Sequence, residues 1–430
     1  MFYNNINKQI INMSYGNVGY MFVGDKSIEF YRDPITFVNK QMQEHDTRIF
    51  QSRLLNKPTI FLGTIQGVQD LVGECSHNFE MGYKVFMHGL YGDNVVFSEG
   101  EEAKRLRDVL HCIFQPDNVQ QFNNKLQDLI VKHFSHMDTG TEISAYERFK
   151  HFATELSFSI FLDVVPDHSD EVNELLSQLI TTHWHGIISV PLSLRMPYWG
   201  SKSGYNKAVE AKGKLIEIIR DRLEKANKGD FLHRITEAGF QNQTEVENHL
   251  LLFISALVPK AFASILTSFT LALSGQDKSS QRHQACVDSK YLDHVLLEVQ
   301  RLWPPFFGGR RLTRKSCVLD GIQVQQGTAV IYMTHAAHRD PKVFPDPEEF
   351  KPERWEENGD ELEKLLCCYG GGKRKCIGIQ LIKKIIKEVC TFMLSNYDWT
   401  VSSDQDLEYK WLPVSRPKGQ LMARFVEKLA

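Results

Sequence analysis

Net charge is nearly absent from this 430-residue sequence: 50 Lys and Arg stand against 53 Asp and Glu, leaving −3. That balance removes any global argument for a polyanionic partner, so no nucleic-acid ligand is expected and a basic patch must be local. Cysteine is scarce as well, with eight in the chain, no CxxC pair and no zinc-type spacing. A disulfide framework is therefore not expected, and reduced, mostly buried thiols facing a cytosolic compartment are. No run of about 18 apolar residues stands out, which leaves no visible membrane span. Met1–Asn7 lacks the basic start and apolar core of a secretion signal.

What is present is a hydrophobic fraction of 42%, with 27 Phe, enough for a sizeable aromatic core. One stretch concentrates reactive chemistry: Cys367-Cys368-Tyr369-Gly370-Gly371-Gly372-Lys373-Arg374-Lys375-Cys376-Ile377-Gly378. The glycines free the backbone to turn tightly and to approach a flat ligand. Positive charge beside Cys376 is expected to lower the thiol pKa toward the metal-binding thiolate. Apolar residues from Gln380 to Cys390 recur near helical spacing, which places Cys376 just ahead of a helix N-terminus, where an anion is favoured.

An aromatic residue, then Gly, Arg, Cys and Gly at fixed offsets (Tyr369, Gly372, Arg374, Cys376, Gly378) resembles the haem-ligand loop of the cytochromes P450. In that family the cysteine is the axial thiolate of haem iron, donating electron density that favours O–O cleavage. Tyr369 stands where the family usually has Phe. Further motifs follow the family's order: Glu298-Val299-Gln300-Arg301, then His335 to Pro352 with its His-Arg-Asp-Pro run, then Pro352-Glu353-Arg354-Trp355. The resemblance implies a structural network of Glu298, Arg301 and Arg354. It implies a mainly α fold with a small β-rich region, as one domain over 1–430: about 15–75 plus 311–333 β-rich, and about 76–310 and 334–430 forming the helical haem-binding core. The Pro304–Gly309 and His185–Pro191 segments are similar to the retinoic-acid-hydroxylase-like and cyanobacterial branch.

The same resemblance implies haem b (iron protoporphyrin IX), held by Arg107, Arg311, Gly370, Gly372, Arg374, Cys376 and Gly378. Arg310 stands where an apolar residue is more usual, so the two arginines could exchange roles. The helix from Glu101 carries Arg107, but Ala103 occupies the place of a second propionate donor. Pro34 opens a helix expected over Ile35–Glu44, and Thr47–Gly63 reads as a hairpin. The Gly82–Gly100 stretch reads as an irregular loop lining a cavity, and Phe86, Met87, Leu257 and Phe306 are the expected substrate-pocket residues. His183, Trp184 and His185 with the following residues read as a lid, not a metal cluster, and His338 as a structural contact.

Leu250–Leu273 is apolar all round, as a core helix is, and Pro259 is expected to kink it. In the family an acid and a threonine on this helix relay protons. Here Lys260 is the one charged side chain and Ala261 replaces the threonine, so Lys260 and Ala261 join Cys376 as the expected catalytic positions. The reading is an oxidoreductase: a monooxygenase of a lipophilic terpenoid, steroid or fatty-acid-like molecule, taking electrons from a reductase or ferredoxin. Lys373, Lys375, Lys383, Lys384 and Lys387 offer that partner a basic face. The alternatives are a P450-fold isomerase, dehydratase or peroxygenase, and a haem-free binding protein. A cytoplasmic location is expected, or the cytosolic face of a membrane should an N-terminal anchor precede.

Overall fold

The computed structural model describes residues 24–164, 170–188, 204–255 and 258–428. The chain divides into two compact units, one of the residues up to Gly82 with Phe306–Glu349 and Asp360–Lys375, the other of Tyr83–Pro305, Phe350–Gly359 and Cys376–Ala430.

The first unit is built on a five-stranded sheet in the order Ile49–Leu54, Lys57–Leu62, Ala329–Met333, Gly308–Thr313, Phe79–Met81. The first two strands form the expected hairpin, closed at Leu55 and Asn56, both with positive φ (50° and 58°), the conformation that matches a two-residue turn to strand twist. Its register sets Phe50 opposite Phe61, whose rings stack at 4.7 Å. Phe30 meets Phe61 and Phe37 meets Phe50 edge-on, and Phe307 packs edge-on against Phe30, so a cluster of aromatics makes this unit's core. Asp33 caps the helix Pro34–His45 by accepting the Thr36 N–H, and Pro34 fills its first position at no hydrogen-bond cost.

The second unit is mainly helical. Helix Ala145–Phe161 packs against Val258–Ala272, and Asp170–Ile188 against Gly204–Glu224. A small antiparallel sheet joins Ile143–Ser144, Met422–Glu427 and Tyr397–Val401. The stretch Gln243–Ala272 reaches a mean hydropathy of 2.0 over an 18-residue window, enough by composition to cross a membrane, yet 80% of that window is buried inside the fold. The sequence reading of no such run is thereby corrected; the apolar faces meet protein, as in a core helix. Pro259 lies in the first turn of Val258–Ala272, where its missing N–H costs little. The Gly82–Gly100 stretch is also corrected: it holds a helix, Lys84–Tyr91, which carries Gly89 near its end and stops at Gly92, whose φ of 66° closes the last turn.

Candidate functional site

Helix Ile379–Asn396 in the second unit begins immediately after Gly378, which puts Cys376 two residues ahead of its N-cap. The Gly378 N–H donates to the Cys376 sulfur. Cys376 keeps part of its surface accessible, yet the surrounding protein raises the thiol pKa: burial is the largest effect, with the Gly378 N–H and the Arg107 guanidinium opposing it. This corrects the expectation of a lowered pKa from the flanking lysines. The thiol is desolvated first, and the opposing charge comes from Arg107, on helix Gly100–Ile113. Ala103, on the same helix, is buried and offers no donor.

In the same unit Glu298, fully buried, gathers the ionic network. It accepts from Arg301 Nε at 2.8 Å and Nη2 at 2.9 Å, and from Arg354 Nε at 2.9 Å. The Lys351 N–H at 2.9 Å and the Trp355 indole N–H at 3.1 Å complete the carboxylate's coordination. These last two donors were not identified from the sequence, although Trp355 ends the Pro-Glu-Arg-Trp run and an indole N–H needs a partner when buried.

Lys260 lies in the first turn of Val258–Ala272, its ammonium 4.7 Å from the centre of the Trp184 ring. Among the described residues it makes no hydrogen bond and no ion pair. Burial, then Lys150 and Arg416, push its pKa down to about 7. Ala261 beside it is part-buried. Alcohols do occur further along: Ser264 pairs with Ser415 at 3.1 Å, Ser268 with Tyr409 at 2.9 Å, and the buried Thr267 hydroxyl has no partner among the described residues. His183 is not part of a lid. It is fully buried within helix Asp170–Ile188, bonded to Ser255 Oγ and the Leu90 carbonyl, both at 3.0 Å, and burial holds its pKa near about 4. Residues 189–191 of the expected lid lie outside the described residues, as does Leu257. Phe86 and Met87 fall in helix Lys84–Tyr91, where Met87 is part-buried.

The first unit carries the rest of the loop. Gly370 and Gly372 have φ of 69° and 53°, and a Cβ on Gly372 would lie 1.9 Å from the Val72 carbonyl oxygen. A Cβ on Gly371 would meet the Val72 side chain at 2.5 Å. Two of the three glycines thus answer to packing on helix Ile65–Val72, a reason the sequence did not offer. Arg374 is part-buried, its N–H bonded to the Gly371 carbonyl at 3.1 Å. Cys367 is buried, its N–H bonded to His338 Nε2 at 2.9 Å, and this gives His338 a structural task. Arg311 stacks over Tyr332 at 5.6 Å and donates to Met81 Sδ at 3.3 Å. Phe306, just before the strand Gly308–Thr313, is part-buried.

The sequence model of the family described as Cytochrome P450 matches residues 270–423. Over those residues the chain carries the cytochrome P450 pattern. It is similar along nearly its whole length to the "Putative cytochrome P450 120" of Synechocystis sp., at 25% identity covering 93% of this chain and 96% of the relative. The "Beta-amyrin 28-monooxygenase" of Medicago truncatula is 23% identical, covering 91% and 88%. A solved structure of retinoic acid-bound cyanobacterial CYP120A1 shares the fold at a TM-score of 0.81 and 23% identity, covering 94% of this chain and 96% of that one. The protein is thus a P450-type oxidoreductase with the P450 fold, and the family's cofactor is haem.

The residues present fit that group by their donor chemistry. Cys376 offers a thiol with an N–H and a guanidinium at hand to stabilise its anion. Arg107 and Arg311 are part-buried guanidiniums of the kind that hold carboxylates bidentately. Bound haem supplies the redox chemistry of the family.

Proposed function

We propose that the protein is a haem-thiolate monooxygenase of a lipophilic small molecule, terpenoid, steroid or fatty-acid-like, working with an electron-transfer partner. Cys376 is the axial ligand in this reading, and Arg107 and Arg311 hold haem propionates, with Gly370, Gly372, Arg374 and Gly378 shaping the loop. The observation that carries the proposal is the Cys376 sulfur, facing the Gly378 N–H and the Arg107 charge at the start of helix Ile379–Asn396. The Glu298 network supports it by fixing the chain ahead of the loop. Phe86, Met87, Leu257 and Phe306 are the proposed pocket residues. A cytoplasmic site of action, or the cytosolic face of a membrane, belongs to the same reading.

The basic partner face is narrower than its lysines suggest. Lys387 is paired with Asp293 at 2.7 Å and Lys384 with Glu388 at 3.7 Å, which reduces their share in docking an acidic reductase or ferredoxin. A second reading, rearrangement or peroxygenation of a pre-oxidised substrate, is favoured by one observation. Where an acid and an alcohol are usual, the chain carries Lys260 and Ala261, and Lys260 has no carboxylate partner among the described residues.

Protein treated with reductant and carbon monoxide should absorb near ~450 nm as thiolate-ligated haem does, and Cys376→Ala should lose that band. Absence of the band in the unaltered protein defeats both readings, and its survival in the variant defeats the ligand assignment. Turnover with NADPH and a reductase, against turnover with a hydroperoxide alone, then separates the two: reaction with the hydroperoxide only sinks the monooxygenase.

A further inference from the structure

Arg310 is 3% exposed, and two of its guanidinium nitrogens, Nε and Nη2, have no hydrogen-bond partner among the described residues. These two N–H groups share one edge of the planar fork. The same edge grips carboxylates elsewhere in the fold: Arg301 holds Glu298 through Nε and Nη2 at 2.8 and 2.9 Å, and Arg220 holds Glu247 through the same pair at 2.8 and 2.9 Å. Among the described residues with buried, unpartnered arginine nitrogens, Arg310 alone has both atoms of this edge so placed. Its third nitrogen, Nη1, reaches the Gly82 carbonyl at 3.4 Å, a long contact that anchors the fork without neutralising it. No carboxylate of the described residues forms an ion pair with it.

A buried cation without a counter-charge is strongly unfavourable, while an apolar residue in this strand would carry no such cost. The strand itself shows which way the charge faces. Arg310 and Arg311 are consecutive in Gly308–Thr313, so their side chains take opposite faces of the sheet. Arg311 shares its face with Tyr332, over which it stacks. Arg310 is in register with Ile331, and Ile331 with Phe61, which puts Arg310 on the face of the aromatic core. Tyr31, on helix Ser27–Arg32, is a neighbour whose hydroxyl feels the Arg310 charge. Close approach is enforced at Gly82, where a Cβ would fall 2.7 Å from Arg310 Cγ. The result is a fixed, bidentate donor edge beside apolar side chains.

We propose that the Nε–Nη2 edge of Arg310 receives the carboxylate of the substrate, and that the substrate is therefore an amphipathic carboxylic acid with a long apolar body. This rests on the reading of the protein as a P450 acting on a lipophilic molecule, and it narrows that reading to acids. One other carboxylate has the same chemistry, a haem propionate, and the test separates the two sources.

The full-length, haem-loaded protein is titrated with dodecanoic acid, below its critical micelle concentration, and with methyl dodecanoate, below its solubility limit, and binding is measured by equilibrium dialysis. The acid should bind about ten- to a hundredfold tighter than the ester, the range expected for charged hydrogen bonds. In Arg310→Met that ratio should fall to about one with ester binding kept, and Arg310→Lys should restore part of it. Haem per protein, read from the pyridine haemochrome, should be unchanged in both variants. Equal affinity for acid and ester in the unaltered protein overturns the proposal, and so does a preference that survives in Arg310→Met. Haem loss in Arg310→Met assigns the edge to a propionate and overturns it as well. None of these results touches the ~450 nm band of the unaltered protein, which tests the haem-thiolate reading separately.

Discussion

Replacing Glu298 with alanine should destabilise the protein more than almost any other single truncation in the second unit. The side chain is fully buried and accepts five hydrogen bonds, from Arg301, Arg354, the Lys351 N–H and the Trp355 indole. Without it, Arg301, whose side chain is 0% exposed, and Arg354, at 8%, lose the carboxylate that pairs with both of them. Breaking a buried ion pair in this way costs about 3–5 kcal/mol, and the stranded indole and amide donors add roughly 1 kcal/mol or more each. The terms overlap, so a loss of about 5 kcal/mol is expected, a large share of the 5–15 kcal/mol a domain typically has. Glu298→Gln keeps the shape and one acceptor oxygen and should cost about half as much. Urea unfolding followed by far-ultraviolet circular dichroism gives the comparison, read as a shift in midpoint at constant slope. A loss under about 1 kcal/mol for Glu298→Ala, with the slope unchanged, would refute the reasoning, because it would mean the two arginines reach water or another anion.

Two further outcomes follow from the structure. Lys260 has its pKa lowered from 10.5 to about 7, so between those values the unfolded chain binds the extra proton and stability rises with pH. Lys260→Met should therefore stabilise the protein near pH 7 by about 2 kcal/mol, after discounting for the Trp184 contact, with the gain fading toward pH 10 in thermal melts; a gain independent of pH would show that the charge is not its source. Gly372→Ala must both hold a positive φ and push against the Val72 carbonyl, so it should cost more than about 3 kcal/mol, whereas Gly370→Ala meets only the φ penalty of about 1 kcal/mol. Equal melting shifts for the two would remove the packing argument.

Much of the fold was legible because it depends on neighbours in sequence. The hairpin at 49–62, the helix after Pro34 and the helix after Gly378 each announce themselves through local periodicity and a turn or cap residue. The helix Lys84–Tyr91 was not, since its glycine-bounded, aromatic composition suits a loop as well as a buried helix. At the site, the spacing around Cys376 and the Glu298–Arg301 offset were readable for the same reason: one turn of helix or one tight loop fixes them. His183 was misread because its partners, Ser255 and Leu90, are 72 and 93 residues away.

The sequence by itself carried the P450 resemblance, singled out Cys376 and paired Glu298 with Arg301 and Arg354, because short fixed spacings carry such patterns whatever the rest of the chain does. Only the tertiary structure decided what surrounds those groups. It set the Cys376 thiol against burial and Arg107, placed Lys260 over Trp184, put Gly372 against Val72 and buried one edge of Arg310 without a partner. Each of these is a contact between residues far apart in the chain. Solvation and charge are set by such contacts, and no local pattern encodes them.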